Sequence, residues 1–191
     1  ADAYGQYTNN LGVALVTAGP GGTNALTGLA AAWLESTPCL FLSGQVKRDD
    51  IATGRGIRQL GFQELPIVDI VKPITKYAVT VMEPDRIRYH LEKALYLART
   101  GRPGPVWLDI PLDVQSASIE EKGLVGFDHS EFQIDFDEET LRRQVKETIE
   151  LLNQAERPVL LAGNGVRLAK VIPEFLVNNS LKPLCTELSS S

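Results

Sequence analysis

The stretch VTAGPGGTNALTGLAAAWLES, residues 16–36, decides the fold. It overlaps an apolar, β-branched run (VALVT, 13–17), passes through a glycine-rich turn and enters an alanine- and leucine-rich segment. A strand, a glycine loop and a helix in that order present backbone amides to whatever lies against the loop. The loop AGPGGTN has no Gly-Lys-Ser/Thr for a phosphate and no GxGxxG register. Pro20 stiffens the turn, while Gly21 and Gly22 let another surface come close. A tight strand-to-helix turn and a seat for a flat or anionic group both satisfy this pattern.

Outward from the loop, the same alternation repeats. Residues 13–17 read as a strand buried on both faces, and residues 24–34 as a helix with Thr23 or Asn24 as its cap. CLFLSG (39–44) is a second buried strand. Residues 45–63 show no clean period and carry three glycines, a long connection of the functional kind. A short helix near 65–71, a β run at 76–81 and a helix at 85–99 with Pro84 at its start follow. GRPGP (101–105) turns the chain into the buried strand VWLDIP (106–111). Strands separated by helices predict an α/β fold, a parallel sheet with flanking helices. After Pro111 the chain turns irregular, and a second α/β pattern begins near residue 138. It comprises a charged helix (138–153), the strand VLLAGNGV (159–166), a helix (168–178) and the strand LKPLCTE (181–187).

Composition narrows the function classes. The 191 residues are 43% hydrophobic and 23% charged, with a formal net charge of −5, as one large or two small globular domains require. Scattered lysines and arginines exclude a nucleic-acid surface, and no apolar run reaches the length of a membrane span. Cys39 and Cys185 form no CxxC pair and read as reduced, partly buried thiols suited to the cytoplasm. ADAYGQYTNNLG at the start reads as the tail of a helix, so both ends are expected to be internal to a longer polypeptide.

Catalytic side chains are sparse. His90 and His129 stand beside no nucleophile motif. Asp49, Asp50 and Glu64 are loop carboxylates; Glu64 is a candidate general base, with a plainly solvated carboxylate as the competing reading. Phe62 and Gln63 form a polar–aromatic pair suited to lining a pocket.

Taken together and in order, TAGPGGTN, SGQV, GFQE and GRPGPVWLDIPLDVQ resemble the thiamine diphosphate-dependent enzymes, in particular the catalytic (large) subunits of acetolactate synthase. The resemblance implies a pyrimidine-binding domain lacking its start (1–116), a linker (117–137) and the truncated beginning of a Rossmann-like central domain (138–191). It implies that the loop lies against the cofactor's aminopyrimidine, with Thr17, Gly19, Pro20, Gly21, Asn24 and Gln63 at the cofactor and Phe62 and Gln63 on the substrate side. It implies a 2-keto acid decarboxylase or carboligase, a homodimer or homotetramer, with Mg2+ held by a domain beyond Ser191. The family's activating glutamate is expected upstream of Ala1, so no catalytic residue and no metal ligand is expected within the chain, which alone should be inactive. Arg102, Gly163 and Gly165 match positions that contact FAD in acetolactate synthase. Leu112 stands where that group has lysine, and the segment holding Arg55 and Arg58 is longer, which suggests a larger or more anionic acceptor. An oxalyl-CoA decarboxylase-like activity, a glyoxylate carboligase-like activity and a non-catalytic cofactor-binding paralogue are the alternatives.

Overall fold

A computed structural model of the chain describes residues 1–132, 137–159 and 161–177. The chain falls into two compact units, Ala1–Phe132 and Gln133–Ser191. The first contains, in order, α1 (Asp2–Thr8), β1 (Gly12–Val16), α2 (Pro20–Asn24), α3 (Leu26–Leu34), β2 (Cys39–Gln45), α4 (Ile67–Val71), β3 (Tyr77–Thr80), α5 (Ile87–Arg99), β4 (Val106–Pro111) and α6 (Leu112–Gln115). Four strands pair in the order β1-β2-β4-β3, every pair parallel. This is the α/β sheet that the sequence predicts.

The two faces follow from the period of two along each strand. On one face Phe41 of β2 and Trp107 of β4 pack with Leu29 and Ala32 of α3 and Ile67 and Val71 of α4. On the other, Leu40, Val106 and Leu108 pack with Ala94, Leu97 and Ala98 of α5. Phe41 and Trp107 are register partners whose rings stack at 5.2 Å, an arrangement worth about 0.5–1.5 kcal/mol beyond area burial.

Strand β1 departs from expectation. Val13 and Leu15 are 56% and 79% exposed, so it is not buried on both faces. It ends the described sheet, and α5 lies across β2, β3 and β4, leaving this face of β1 uncovered by helix among the described residues.

Residues 117–132, read from sequence as part of the linker, lie against α5. Phe127 is buried, its backbone N–H donates to Glu92 Oε2 (2.8 Å), and Tyr89 Oη donates to Glu131 Oε2 (2.7 Å). His129 stacks on Tyr96 with centroids 4.4 Å apart. Lys93 Nζ sits 5.2–5.6 Å from the ring centres of Tyr77, Tyr89 and Phe127.

In the second unit, α7 (Glu138–Gln154) is capped by Asp137, whose carboxylate accepts from Thr140 N. Two short helices, α8 (Gly165–Leu168) and α9 (Ile172–Val177), follow. The strand expected at 159–166 is not found among its described residues, and Gly165 and Val166 instead open α8. The expected helix 168–178 is interrupted before Pro173, which suits only a first turn. The strand expected at 181–187, with Cys185, lies outside the described residues. No helix among the described residues is long and apolar enough to cross a membrane.

Candidate functional site

The glycine loop stands at the carboxyl end of β1. Gly19 is buried and left-handed (φ 59°), and Pro20 starts α2 at the position where a missing N–H costs nothing. A side chain on Gly19 would place its Cβ 2.5 Å from the carbonyl oxygen of Gln63. Gln63 is itself left-handed (φ 57°), a conformation that costs a non-glycine residue about 1 kcal/mol. A Cβ on Gly21 would lie 2.5 Å from Thr17 Cγ2, and one on Gly22 3.3 Å from Ile67. Packing therefore accounts for these glycines: Gly19 and Gly22 are buried and Gly21 half-buried, and Pro20 is the exposed residue of the turn.

Around that turn stand the side chains that the sequence picks out. Thr17, Pro20, Asn24 and Gln63 are exposed, and Phe62 is 83% exposed. Pro20 and Asn24, four residues apart, share one side of α2. The structure brings Gly19, Gly21, Thr17 and Gln63 into one neighbourhood. The helix expected at 24–34 forms differently: the chain turns helical at Pro20, breaks at Ala25 and resumes as α3 at Leu26, without a side-chain cap from Thr23 or Asn24. Thr23 Oγ1 instead donates to Pro20 O within its own turn, at 3.2 Å.

Behind the loop lies a polar network that sequence reasoning missed. Asp109 of β4 is 1% exposed and accepts three side-chain hydrogen bonds. Ser43 donates at 2.5 Å, Gln45 Nε2 at 3.0 Å and Thr80 Oγ1 at 3.3 Å. Trp107 Nε1 donates to Ser43 Oγ (2.8 Å), so the serine's own proton points to Asp109. Burial pushes the Asp109 carboxyl above its ordinary range, and the three donors pull the other way without reversing it. The discernible sign was three polar residues at the carboxyl ends of otherwise apolar strands, with Ser43 and Asp109 in register.

Glu64 is neither a free base nor a solvated loop carboxylate. It is 7% exposed, and its two oxygens accept from the backbone N–H groups of Ala52 (3.0 Å) and Leu60 (3.2 Å). A carboxylate so used is a clamp on the long connection. Arg48 pairs with Asp113 (2.6 Å) and donates to Met82 O, and this partner holds the Asp113 carboxyl below its usual range. A pocket of about 380 Å³ opens beside these groups, lined among others by Gln45, Arg55, Glu64, Thr80, Met82 and Asp109. Arg55 faces it, whereas Arg58 is simply exposed.

The histidines are elsewhere. His90 Nδ1 meets Tyr77 Oη at 2.7 Å, and His129 joins the aromatic cluster on α5. Cys39 is fully buried, and burial raises its thiol to about 11, as an inert core thiol requires. Arg102 Nε donates to Ser36 Oγ (2.7 Å) beside a second pocket of about 380 Å³ lined by Trp33, Lys76 and Pro103. In the other unit, Gly163 precedes α8 and Gly165 begins it. No metal-binding cluster occurs among the described residues.

These features define a class: a parallel α/β domain with a glycine loop at the carboxyl edge of its sheet, the usual ligand edge of such sheets. Residues 1–71 match the family described as "Thiamine pyrophosphate enzyme, N-terminal TPP binding domain". The chain is 39% identical over 176 residues to an acetolactate synthase of Arthrospira platensis, covering 88% of this chain and 28% of that protein. It is 40% identical over 169 residues to a glyoxylate carboligase of Escherichia coli O157:H7, covering 87% of this chain and 26% of the relative. An acetolactate synthase large subunit of Lactococcus lactis is 37% identical over 180 residues, which are 92% of this chain and 29% of the relative. The chain thus spans under a third of the length of these curated relatives.

Proposed function

We propose that this chain supplies the pyrimidine side of a thiamine diphosphate site in an enzyme that decarboxylates or ligates 2-keto acids, in the manner of acetolactate synthase. The observation that carries this reading is the contact of Gly19 with Gln63, which brings the exposed side chains of Thr17, Pro20, Asn24 and Gln63 to one turn. A flat heteroaromatic ring needs such a surface, with polar groups at its rim and apolar ones against its plane. Thr17, Asn24 and Gln63 would meet the ring's nitrogens, and Pro20 and Phe62 its faces. When bound, the cofactor supplies the carbanion chemistry that breaks the bond to the departing CO2. This chain's own residues orient the ring and, through Phe62, exclude water from the substrate side.

Mg2+ would be held with the diphosphate outside this chain, and the complete enzyme would act as a cytoplasmic homodimer or homotetramer. A first domain over 1–116, a linker and a central domain from 138 onward is the organisation proposed. FAD is a second ligand to test: Arg102 and Lys76 beside Trp33 make a basic, aromatic pocket whose chemistry fits a nucleotide phosphate. The glyoxylate carboligase relative keeps a glyoxylate-type acceptor open as the alternative substrate.

The test uses the polypeptide extended to the length of its relatives. Its melting temperature is measured with and without thiamine diphosphate and Mg2+, and its visible absorbance for flavin. Cofactor at 100 times its Kd should stabilise the fold by about 2.7 kcal/mol. A melting temperature that does not move at millimolar cofactor would overturn the reading. A 2-keto acid panel then separates pyruvate from glyoxylate as substrate.

A further inference from the structure

Gln63 pays a conformational cost at the place where it meets Gly19, and such a residue persists only where its surroundings over-determine it. The hydrogen bonds around it identify what does so. Gln45 Nε2 donates both to Asp109 Oδ2 (3.0 Å) and to the carbonyl of Leu65 (3.1 Å), two residues after Gln63. Gln45 Oε1 accepts from Val46 N at 2.9 Å. The amide cannot be turned over, because its oxygen would then face a carboxylate and a carbonyl, neither of which can donate. Asp109 is fixed in turn from behind. Trp107 donates to Ser43, which spends its only proton on Asp109. A continuous chain of hydrogen bonds therefore links the core indole to the Leu65 carbonyl: Trp107 donates to Ser43, Ser43 and Gln45 both donate to Asp109, and Gln45 donates onward to Leu65 O. On the other side of Gln63, Gly61 N donates to Asp50 O (2.9 Å), and the Glu64 carboxylate holds Ala52 and Leu60.

We propose that Gln45, oriented by buried Asp109, is a positioning residue that holds Gln63 against Gly19 and so keeps one wall of the cofactor seat in shape. The inference rests on the thiamine diphosphate reading above. Gln45 itself touches no cofactor; it acts through the segment 61–65. A group that only stabilised the fold would alter the melting temperature and leave cofactor affinity unchanged at temperatures well below melting.

Two variants test this in the polypeptide of full relative length. Gln45→Leu removes every hydrogen bond of the amide. Gln45→Asn keeps the amide on a stem one methylene shorter, which reaches one acceptor at a time. Leu97→Ala serves as a control that loosens the core on the opposite face of the sheet, a cluster that includes no residue of the segment. The readouts are amide hydrogen exchange over residues 60–65 in cofactor-free protein and the Kd for thiamine diphosphate with Mg2+ at 15 °C below the lowest melting point.

The expected result is faster exchange confined to 60–65 and a Kd weakened about tenfold in Gln45→Leu, with Gln45→Asn between it and wild type. Leu97→Ala lowers the melting point with no change in Kd. If Gln45→Leu does not fold, Gln45→Asn and Asp109→Asn carry the decision on the same readouts. Folded variants whose Kd stays at the wild-type value overturn the positioning role while the cofactor reading stands. Wild-type protein that binds no thiamine diphosphate overturns the cofactor reading, and this inference with it.

Discussion

Gly19 and Gln63 meet through their backbones, both with positive φ, so that a Cβ on Gly19 would lie 2.5 Å from the Gln63 carbonyl oxygen. Gly19→Ala is therefore strained twice. The positive-φ backbone, with ψ −123° outside the left-handed helical well, costs alanine about 1–3 kcal/mol, and the collision forces the Gln63 segment outward besides. Gly28 offers the contrast, since it lies within α3 with nothing within 4 Å of an added Cβ. Gly28→Ala should stabilise by about 0.5–1 kcal/mol, as a helix interior rewards alanine. Urea unfolding of the two variants checks the pair. A Gly19→Ala variant as stable as wild type would show that the contact is not constrained.

Much of this was legible in the chain. The apolar strands 39–44 and 106–111 and the helix 85–99 announce themselves by period, and the glycine loop by composition. What escaped depends on partners far away in sequence. Asp109 reads as one polar residue in VWLDIP, and only the register against Ser43 and the reach of Gln45 and Thr80 make it a node. Val13 and Leu15 look like core residues because their exposure follows from strand order, which local sequence does not encode. Residues 117–132 look like linker because Phe127 and His129 find their partners on α5. Glu64 resembles any loop acid until Ala52 and Leu60 turn their N–H groups toward it.

Asp109 carries a pH signature. Burial raises its pKa above the ordinary value of about 3.9, so the folded state binds this proton more tightly than the unfolded chain does. Its contribution is favourable below the ordinary value and is lost as pH rises through the raised folded value. Asp109→Asn removes that slope. The stability of the variant relative to wild type should therefore increase from pH 3.5 towards neutrality. Denaturant midpoints measured across this range check it, and parallel curves for the two proteins would refute the raised carboxyl.

The stacked pair at the centre of the sheet sets the scale for core damage. Phe41 is 3% exposed and Trp107 fully buried, and their ring planes are parallel to within 1°. Phe41→Ala removes most of a buried ring between α3 and the sheet, which should cost about 3–5 kcal/mol. Trp107→Phe keeps an aromatic ring but leaves Ser43 Oγ without its indole donor, a loss of about 1 kcal/mol with some packing on top. Chemical denaturation should rank them in that order. A larger loss for Trp107→Phe would mean that the Ser43–Asp109 network outweighs the stack.

The segment 117–132 should loosen in acid. His90 Nδ1 and Tyr77 Oη share a hydrogen bond of 2.7 Å, and burial, which raises the phenol to about 12, keeps the Tyr77 proton on its oxygen. Burial, then Arg86 and Lys93, hold the imidazole's pKa below its ordinary value, with Glu83 opposing them weakly. The folded state thus binds this proton less tightly than the unfolded chain. Stability is complete above the ordinary value of about 6.5 and declines as pH falls through it toward the folded value. A proton on Nδ1 also makes that nitrogen the donor of the Tyr77 hydrogen bond and sets a second cation beside Lys93, whose ammonium rests on the Tyr77, Tyr89 and Phe127 rings. Protection factors over 124–132, which allow for the slower intrinsic exchange of amides in acid, should fall between pH 7 and pH 5 in wild type. In His90→Gln, which stays uncharged and can still hydrogen-bond Tyr77, the fall should be much smaller. Equal falls in both proteins would overturn the part given to His90.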